Sequence, residues 1–176
     1  MNDQAASTSH HADSGQPLPP DDRIHTGLVI VDHGSRRDES NRMLEDFVEM
    51  FRKLSDYKIV EPAHMELASP SIAEAFNRCV ERGARRIVIA PYFLAPGKHW
   101  NEDIPQLAAQ AAQPHPHIQY MVAAPIGLHP LMCQLITSRI QHCLDHAAGY
   151  APACEVCHGT GQCIRLGRLA TAATAR

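Results

Sequence analysis

The sequence predicts an α/β domain, with a four-stranded, mostly parallel sheet carrying helices on both faces. Three observations lead there. Between Gly27 and Gly149, short apolar runs alternate four times with amphipathic stretches of helical period. The runs at 27–32 and 86–93 are rich in Val and Ile, as strands buried on both faces are. The links between them are short, the pattern of repeated βα units joined by right-handed crossovers.

The first strand, 27–32, ends at His33-Gly34-Ser35-Arg36-Arg37. The first helix follows the acidic start Asp38-Glu39. It gathers Met43, Leu44, Phe47, Val48, Phe51 and Leu54 into one stripe, with Glu45, Asp46, Glu49, Arg52 and Lys53 largely opposite. A second strand covers 59–66. The second helix opens on Ser69-Pro70, read as an N-cap with proline at the first helical position. It carries Ile72, Phe76, Cys79 and Val80 and stops at Gly83, where a left-handed cap is expected. The third strand, 86–93, breaks on Pro96-Gly97, presents Lys98 and His99, and leads to an alanine-rich helix near Asp103. After a fourth strand at 118–123, the last helix starts near His129-Pro130. It runs through Leu131, Leu135, Ile136, Ile140 and Leu144 to Gly149.

The 176 residues suit one domain with tails. Residues 1–25 are polar, with Pro17, Pro19, Pro20, Asp13, Asp21 and Asp22, and read as a disordered extension. They lack the apolar core of a signal peptide and are too acidic for an organelle transit peptide, so a cytoplasmic location is expected. The α/β domain is 26–149, a small cysteine module is 150–163, and 164–176 reads as a loose basic tail. A net charge of −3 gives no reason to expect nucleic acid or an anionic membrane as partner. No apolar run reaches membrane-spanning length.

All strand C-termini of a parallel sheet lie along one edge, where ligands bind. Three candidate metal ligands map there: His33 after the first strand, Glu66 at the end of the second, and His99 after the third. Two imidazoles and a carboxylate suit a borderline divalent ion such as ferrous iron or cobalt and leave positions open. An imidazole also accepts a proton near neutral pH. A single strand-end histidine is more often a structural hydrogen-bonding group; three such ligands on one edge point to a site. By period-2 alternation His64 shares the strand face of Glu66, and it either lines the pocket or caps a neighbouring loop. Arg36 and Lys98 flank the histidines and suit substrate carboxylates. Arg37 reads as a solvated loop charge, and His129 as the start of the fourth helix. His10, His11, His115, His117, His142 and His146 read as surface residues. The first loop lacks Gly-x-Ser-x-Gly, and neither Gly-x-Gly-x-x-Gly nor a Walker A motif is present, which argues against a serine hydrolase, a dinucleotide site and a P-loop.

At these residues the chain resembles the short class II chelatases, the sirohydrochlorin ferrochelatase and cobaltochelatase family. The resemblance rests on His33-Gly34-Ser35-Arg36, the segment Glu66-Leu67-Ala68-Ser69-Pro70-Ser71-Ile72, and Pro91-Tyr92-Phe93-Leu94 with Gly97-x-His99. Asp103-Ile104-Pro105 and Gly127-Leu128-His129-Pro130-Leu131 extend it. It covers Gly27 to about Leu144. It implies a single-lobe chelatase fold, His33 and His99 as the catalytic pair, and Glu66 as a third metal-site position. Ser35, Arg36 and Lys98 then lie on the side of a tetrapyrrole substrate. It also implies a homodimer, since longer relatives have two lobes. Asp32 and His64 depart from the family pattern, which has a small residue and an apolar residue there.

Six cysteines without an export signal point to metal or redox chemistry rather than disulfides. Cys154, Cys157 and Cys163 fall within ten residues. Cys143 is the candidate fourth thiolate, with a small core residue as the other reading. Cys79 and Cys133 read as structural. Cys154 to Gly161 also resembles one repeat of a chaperone zinc module, so zinc is an alternative, completed by Cys143 or His158. Chelatases with a similar C-terminal extension carry an iron–sulfur cluster, and this resemblance favours 2Fe–2S, with 4Fe–4S as the other nuclearity. The function expected is insertion of Fe²⁺ into sirohydrochlorin to form siroheme. The alternatives are cobalt insertion for cobalamin synthesis and a non-catalytic metal or iron–sulfur carrier.

Overall fold

Residues 20–160 are described by a computed structural model. A 3-10 turn, Pro20–His25, leads into β1 (Thr26–Asp32), followed by α1 (Asp38–Leu54), β2 (Ile59–His64), α2 (Ile72–Glu81) and β3 (Arg86–Pro91). A π-helical turn, His99–Asp103, runs into α3 (Ile104–Ala112). β4 (Gln119–Val122) and α4 (Pro130–Ala147) complete the order. The sheet has the order β2-β1-β3-β4, and every neighbouring pair is parallel. Val31 registers with both Ala63 and Pro91, so the C-terminal ends of the three strands stand level. The chain forms two compact units divided between Pro125 and Ile126.

In the first unit, alternation along β1 sends residues to two cores. Val29 and Val31, with Ile87 and Ile89 of β3, pack against Ile72 and Phe76 of α2 and Ile104 and Ala108 of α3. Leu28, Ile30 and Val60 pack on the opposite face against Leu44 and Val48 of α1. A fully buried side chain such as Phe76 contributes on the order of 1.5–3 kcal/mol. Cys79 is also fully buried, as expected, and burial pushes its thiol pKa up to about 12. It stays an unreactive thiol. On edge strand β2, the buried Glu61 carboxylate is held by Arg52 and Arg82.

Three local readings change. The strands close earlier than their apolar runs, at His64, Pro91 and Val122, although the bonds Met65 N–H to Asp32 O (2.9 Å) and Tyr92 N–H to Val31 O (2.7 Å) carry the ladder one residue on. The N-cap of α2 is Ser71, not Ser69. Its hydroxyl accepts from the Glu74 N–H at 3.3 Å while Glu74 accepts from the Ser71 N–H at 2.6 Å, a full capping box. Those bonds hold the Glu74 carboxyl below its ordinary pKa. The third helix begins as a π turn at His99 rather than near Asp103.

The second unit holds α4 and the cysteine segment. His129 opens the helix as expected, its ring accepting from the Leu131 N–H at 3.2 Å. No residue of α4 is buried. Its apolar stripe is 53–63 % exposed at Leu131, Leu135, Ile136, Ile140 and Leu144, and Cys133 is exposed rather than structural.

Candidate active site

His33 and His99 leave the ends of β1 and β3, adjacent strands of the sheet, and meet. Their ring centroids are 5.2 Å apart at an interplanar angle of 68°. The π turn gives His99 its orientation: Nδ1 lies 2.8 Å from Asp103 Oδ2, four residues on. The carboxylate only accepts, so Nδ1 carries the proton and the Nε2 lone pair is left for a metal or a proton. A carboxylate behind a ligating imidazole is the usual outer support of a metal-binding histidine. Phe93 packs 6.1 Å from the His99 ring, and Trp100 Nε1 donates to Ala123 O at 2.9 Å, tying the turn to the end of β4. Asp103 is the site residue that motif reading leaves unassigned; its signal was the i, i+4 spacing from His99 on a helix.

The exposed His33 ring has only a weaker local contact, Nδ1 to Gly34 O at 3.2 Å. Its backbone is held better: His33 O accepts from the Glu66 N–H at 3.0 Å. Glu66 is thereby brought beside His33 through the main chain, in an exposed bend where the strand alternation no longer applies. Among the described residues, no three His, Cys, Asp or Glu side chains converge as a ready metal cage. The histidine pair is the part of the predicted ligand set that the fold places ring to ring.

His64 does not line this site. It is fully buried, with Nδ1 2.6 Å from Asp32 Oδ1. The two positions that depart from the chelatase pattern are thus one hydrogen-bonded pair.

Ser35 and Arg36 line a polar cleft of about 340 Å³ with Asp38, Asn41, Arg42, Glu45 and the 67–69 loop. The Ser35 N–H donates to Asn41 Oδ1 and Asn41 Nδ2 donates back to Ser35 O, both at 2.9 Å, which fixes the loop against α1. Lys98 is 71 % exposed and 3.8 Å from Asp103 Oδ1. Such a contact holds a lysine weakly, so its ammonium remains available to an anion.

The sequence model of the CbiX family matches residues 27–143. The chain belongs to the CbiX family. The chloroplastic sirohydrochlorin ferrochelatase of Arabidopsis thaliana is 56% identical over 137 residues, covering 78% of this chain and 61% of that protein. The sirohydrochlorin ferrochelatase of Priestia megaterium is 33% identical over 113 residues, covering 64% of this chain and 42% of that protein. This chain therefore spans about half the length of these two relatives. Among solved structures, SirB from Bacillus subtilis subspecies spizizenii in complex with cobalt superposes with a TM-score of 0.63 at 28% identity, over 67% of this chain and 50% of that one. SirB from Bacillus subtilis with Fe³⁺ gives the same TM-score of 0.63 at 25% identity, over 67% of this chain and 47% of that one. The single-lobe α/β fold of the CbiX chain agrees with the fold its motifs imply. No described helix is long and apolar enough to cross a membrane.

The CbiX match ends ahead of the cysteine segment. In the second unit the buried Cys154 and Cys157 bring their sulfurs to 3.4 Å. Hydrogen bonds from the Cys157 backbone and thiol, and from the Val156 backbone, lower the Cys154 pKa, favouring the thiolate that binds metal. His142 and His146, read as plain surface residues, instead fix this segment. His142 Nε2 donates to Pro152 O at 3.1 Å and His146 Nδ1 to Ala151 O at 2.9 Å. Cys143 lies partly buried on α4. Cys163, the tail at 164–176, and residues 1–19 with His10 and His11 lie outside the described residues.

Proposed function

We propose that this chain is a metal chelatase that inserts Fe²⁺ into sirohydrochlorin to give siroheme. The His33–His99 pair at the strand ends carries the reading. Insertion exchanges two pyrrole N–H protons for one divalent ion. It therefore needs a metal held loosely enough to be handed on, and bases to receive protons. Two imidazoles, without a complete cage around them among the described residues, suit both demands. His99 takes a proton at Nε2, and Asp103 stabilises the imidazolium that results. His33 is the second base or transient ligand, with Glu66 as a third metal position. Ser35 and Arg36 in the cleft, with Lys98, face the many carboxylates of the macrocycle. The name of the Arabidopsis relative favours iron over cobalt. Anaerobic mixing of the purified protein with sirohydrochlorin and either ion, followed by macrocycle absorption, tests this; absence of any spectral change would leave the carrier reading in its place.

The donor set of the second unit fits a thiolate-bound centre. Cys154 and Cys157 are close, buried and biased towards thiolate, and Cys163 with Cys143 would complete four ligands. A 2Fe–2S cluster there would supply a soft, redox-active centre, different in ligand chemistry from the imidazole pair. In the full chain, Cys154→Ser with Cys157→Ser is expected to abolish visible iron–sulfur absorption and retain at least part of the insertion rate. Stoichiometric zinc without acid-labile sulfide in anaerobically purified protein would replace the cluster with zinc.

The uncovered apolar stripe of α4 supports a homodimer, because a row of exposed Leu and Ile is costly in water unless a partner covers it. Sedimentation is expected to give a dimer, and a fully active monomer at low nanomolar concentration would overturn it. The cytoplasmic location stands on the acidity of residues 1–25, whereas the Arabidopsis relative is chloroplastic. Imaging a C-terminal fusion decides between them.

A further inference from the structure

His99 is aimed by a carboxylate on its ring, whereas the His33 ring meets His99 but has, among the described residues, no hydrogen-bond partner from another element. The aim of His33 must therefore come from its backbone. The His33–Gly34 peptide is pinned at both of its polar groups. Its carbonyl, His33 O, accepts from the Glu66 N–H at 3.0 Å. Its amide, the Gly34 N–H, donates to Asp32 Oδ1 at 2.9 Å. The same Oδ1 accepts from His64 Nδ1 at 2.6 Å, and Asp32 and His64 are register partners on adjacent strands.

His64 is an expensive residue in this place. It is fully buried, and its Nε2 has no hydrogen-bond partner among the described residues. An unsatisfied buried polar atom is destabilising, and leucine would avoid it. What leucine lacks is the Nδ1–H that holds the Asp32 carboxylate.

We propose that Asp32 and His64 form a single positioning unit for His33. His64 locks the Asp32 carboxylate, Asp32 captures the Gly34 N–H, and the His33 backbone is thereby fixed so that its ring meets His99. The same contact joins the end of β1 to the end of β2, from which Glu66 departs. Neither residue touches substrate. The proposal deepens the chelatase reading and rests on it for the identity of the reaction, while the hydrogen-bond chain stands on geometry alone.

Two substitutions of opposite character in the full-length protein provide the test. His64→Leu keeps the volume and removes the donor. His64→Asn gives up volume and keeps a donor near the Nδ1 position. Hydrogen exchange at the Gly34 amide, measured without metal or macrocycle, is expected to quicken roughly tenfold in His64→Leu and to stay within about threefold of the unsubstituted protein in His64→Asn. Insertion should follow the same order. His64→Leu should lower kcat roughly tenfold, as removal of an outer partner of a ligand does, with the KM for sirohydrochlorin unchanged.

Asp32→Ala, at a partly exposed position, should reproduce both effects, and His64→Leu combined with Asp32→Ala should be no worse than either alone. A His64→Asn protein more impaired than His64→Leu would make His64 a space-filling residue and overturn the proposal. So would unchanged Gly34 exchange in His64→Leu, or effects that multiply in the double variant. If the unsubstituted protein inserts no metal, the chelatase reading fails, but the exchange order still decides whether the positioning unit exists.

Discussion

His99→Ala is expected to lower metal insertion by roughly two to four orders of magnitude, the range for loss of a positioned acid–base group, while the protein stays folded. His99 is partly exposed at the start of a π turn, and substitutions at such positions change stability by about 0.5 kcal/mol. The chemistry has no comparable slack. Asp103 holds Nδ1 at 2.8 Å, so the substitution removes the Nε2 lone pair and strands the carboxylate that stabilises its protonated form. His33→Ala should fall in the same range, because the two rings meet edge to face at 5.2 Å. Asp103→Asn should be milder, on the order of 10–100-fold: the ring remains, but its tautomer is no longer enforced. His115→Ala is the control. That ring stacks on Phe76 and bonds to Asn77, both on α2, and its loss should leave the rate nearly unchanged. Stopped-flow absorption of the macrocycle, paired with circular dichroism, reads both quantities. An His99→Ala protein inserting metal at the unsubstituted rate would remove His99 from the mechanism.

The fold was legible because its signals are local and repeated. Val and Ile runs marked β1 and β3, and one stripe from Met43 to Leu54 marked α1, although its two end residues are exposed. The meeting of His33 and His99 was legible too, since a parallel sheet collects strand ends from distant sequence. What escaped depends on side-chain partners. Ser71-x-x-Glu74 was a readable capping signature, but Ser69-Pro70 imitates a helix start and competed with it. His64 was put on the face of Glu66 by strand alternation, but β2 closes at His64, and Glu66 lies beyond it, where the period stops applying. Its true partner, Asp32, sits across the β1–β2 pair, and only register reveals it. The apolar stripe of α4 was legible, but periodicity reports an apolar face and is silent about what covers it. His142 and His146 were missed because their acceptors are backbone carbonyls, which no sequence pattern displays.

Gly34→Ala is expected to be the most damaging small substitution in the first unit. Gly34 adopts φ +83°, where an L side chain is strained, and a Cβ there would sit 2.0 Å from Glu66 O and 3.0 Å from His64 Cβ. The first obstacle is main chain and cannot rotate aside. Relief requires the β1 and β2 ends to part, which breaks the Glu66 N–H bond to His33 O. Backbone strain alone costs about 1–3 kcal/mol, and the lost hydrogen bond adds about 1 kcal/mol. Gly83→Ala separates these contributions. Gly83 has a similar φ of +89° with nothing within 4 Å of the added Cβ, so it reports the strain without the collision. Thermal unfolding should therefore show a modest fall in Tm for Gly83→Ala and a clearly larger one for Gly34→Ala. Insertion should be nearly intact in the first and lost by at least about tenfold in the second, because only Gly34 lies next to a ring that must face its partner. Equal losses of Tm and of rate in the two variants would show that the close approach of the two strand ends contributes nothing, and that the loop tolerates the spacing that the His33–His99 pair is argued to require.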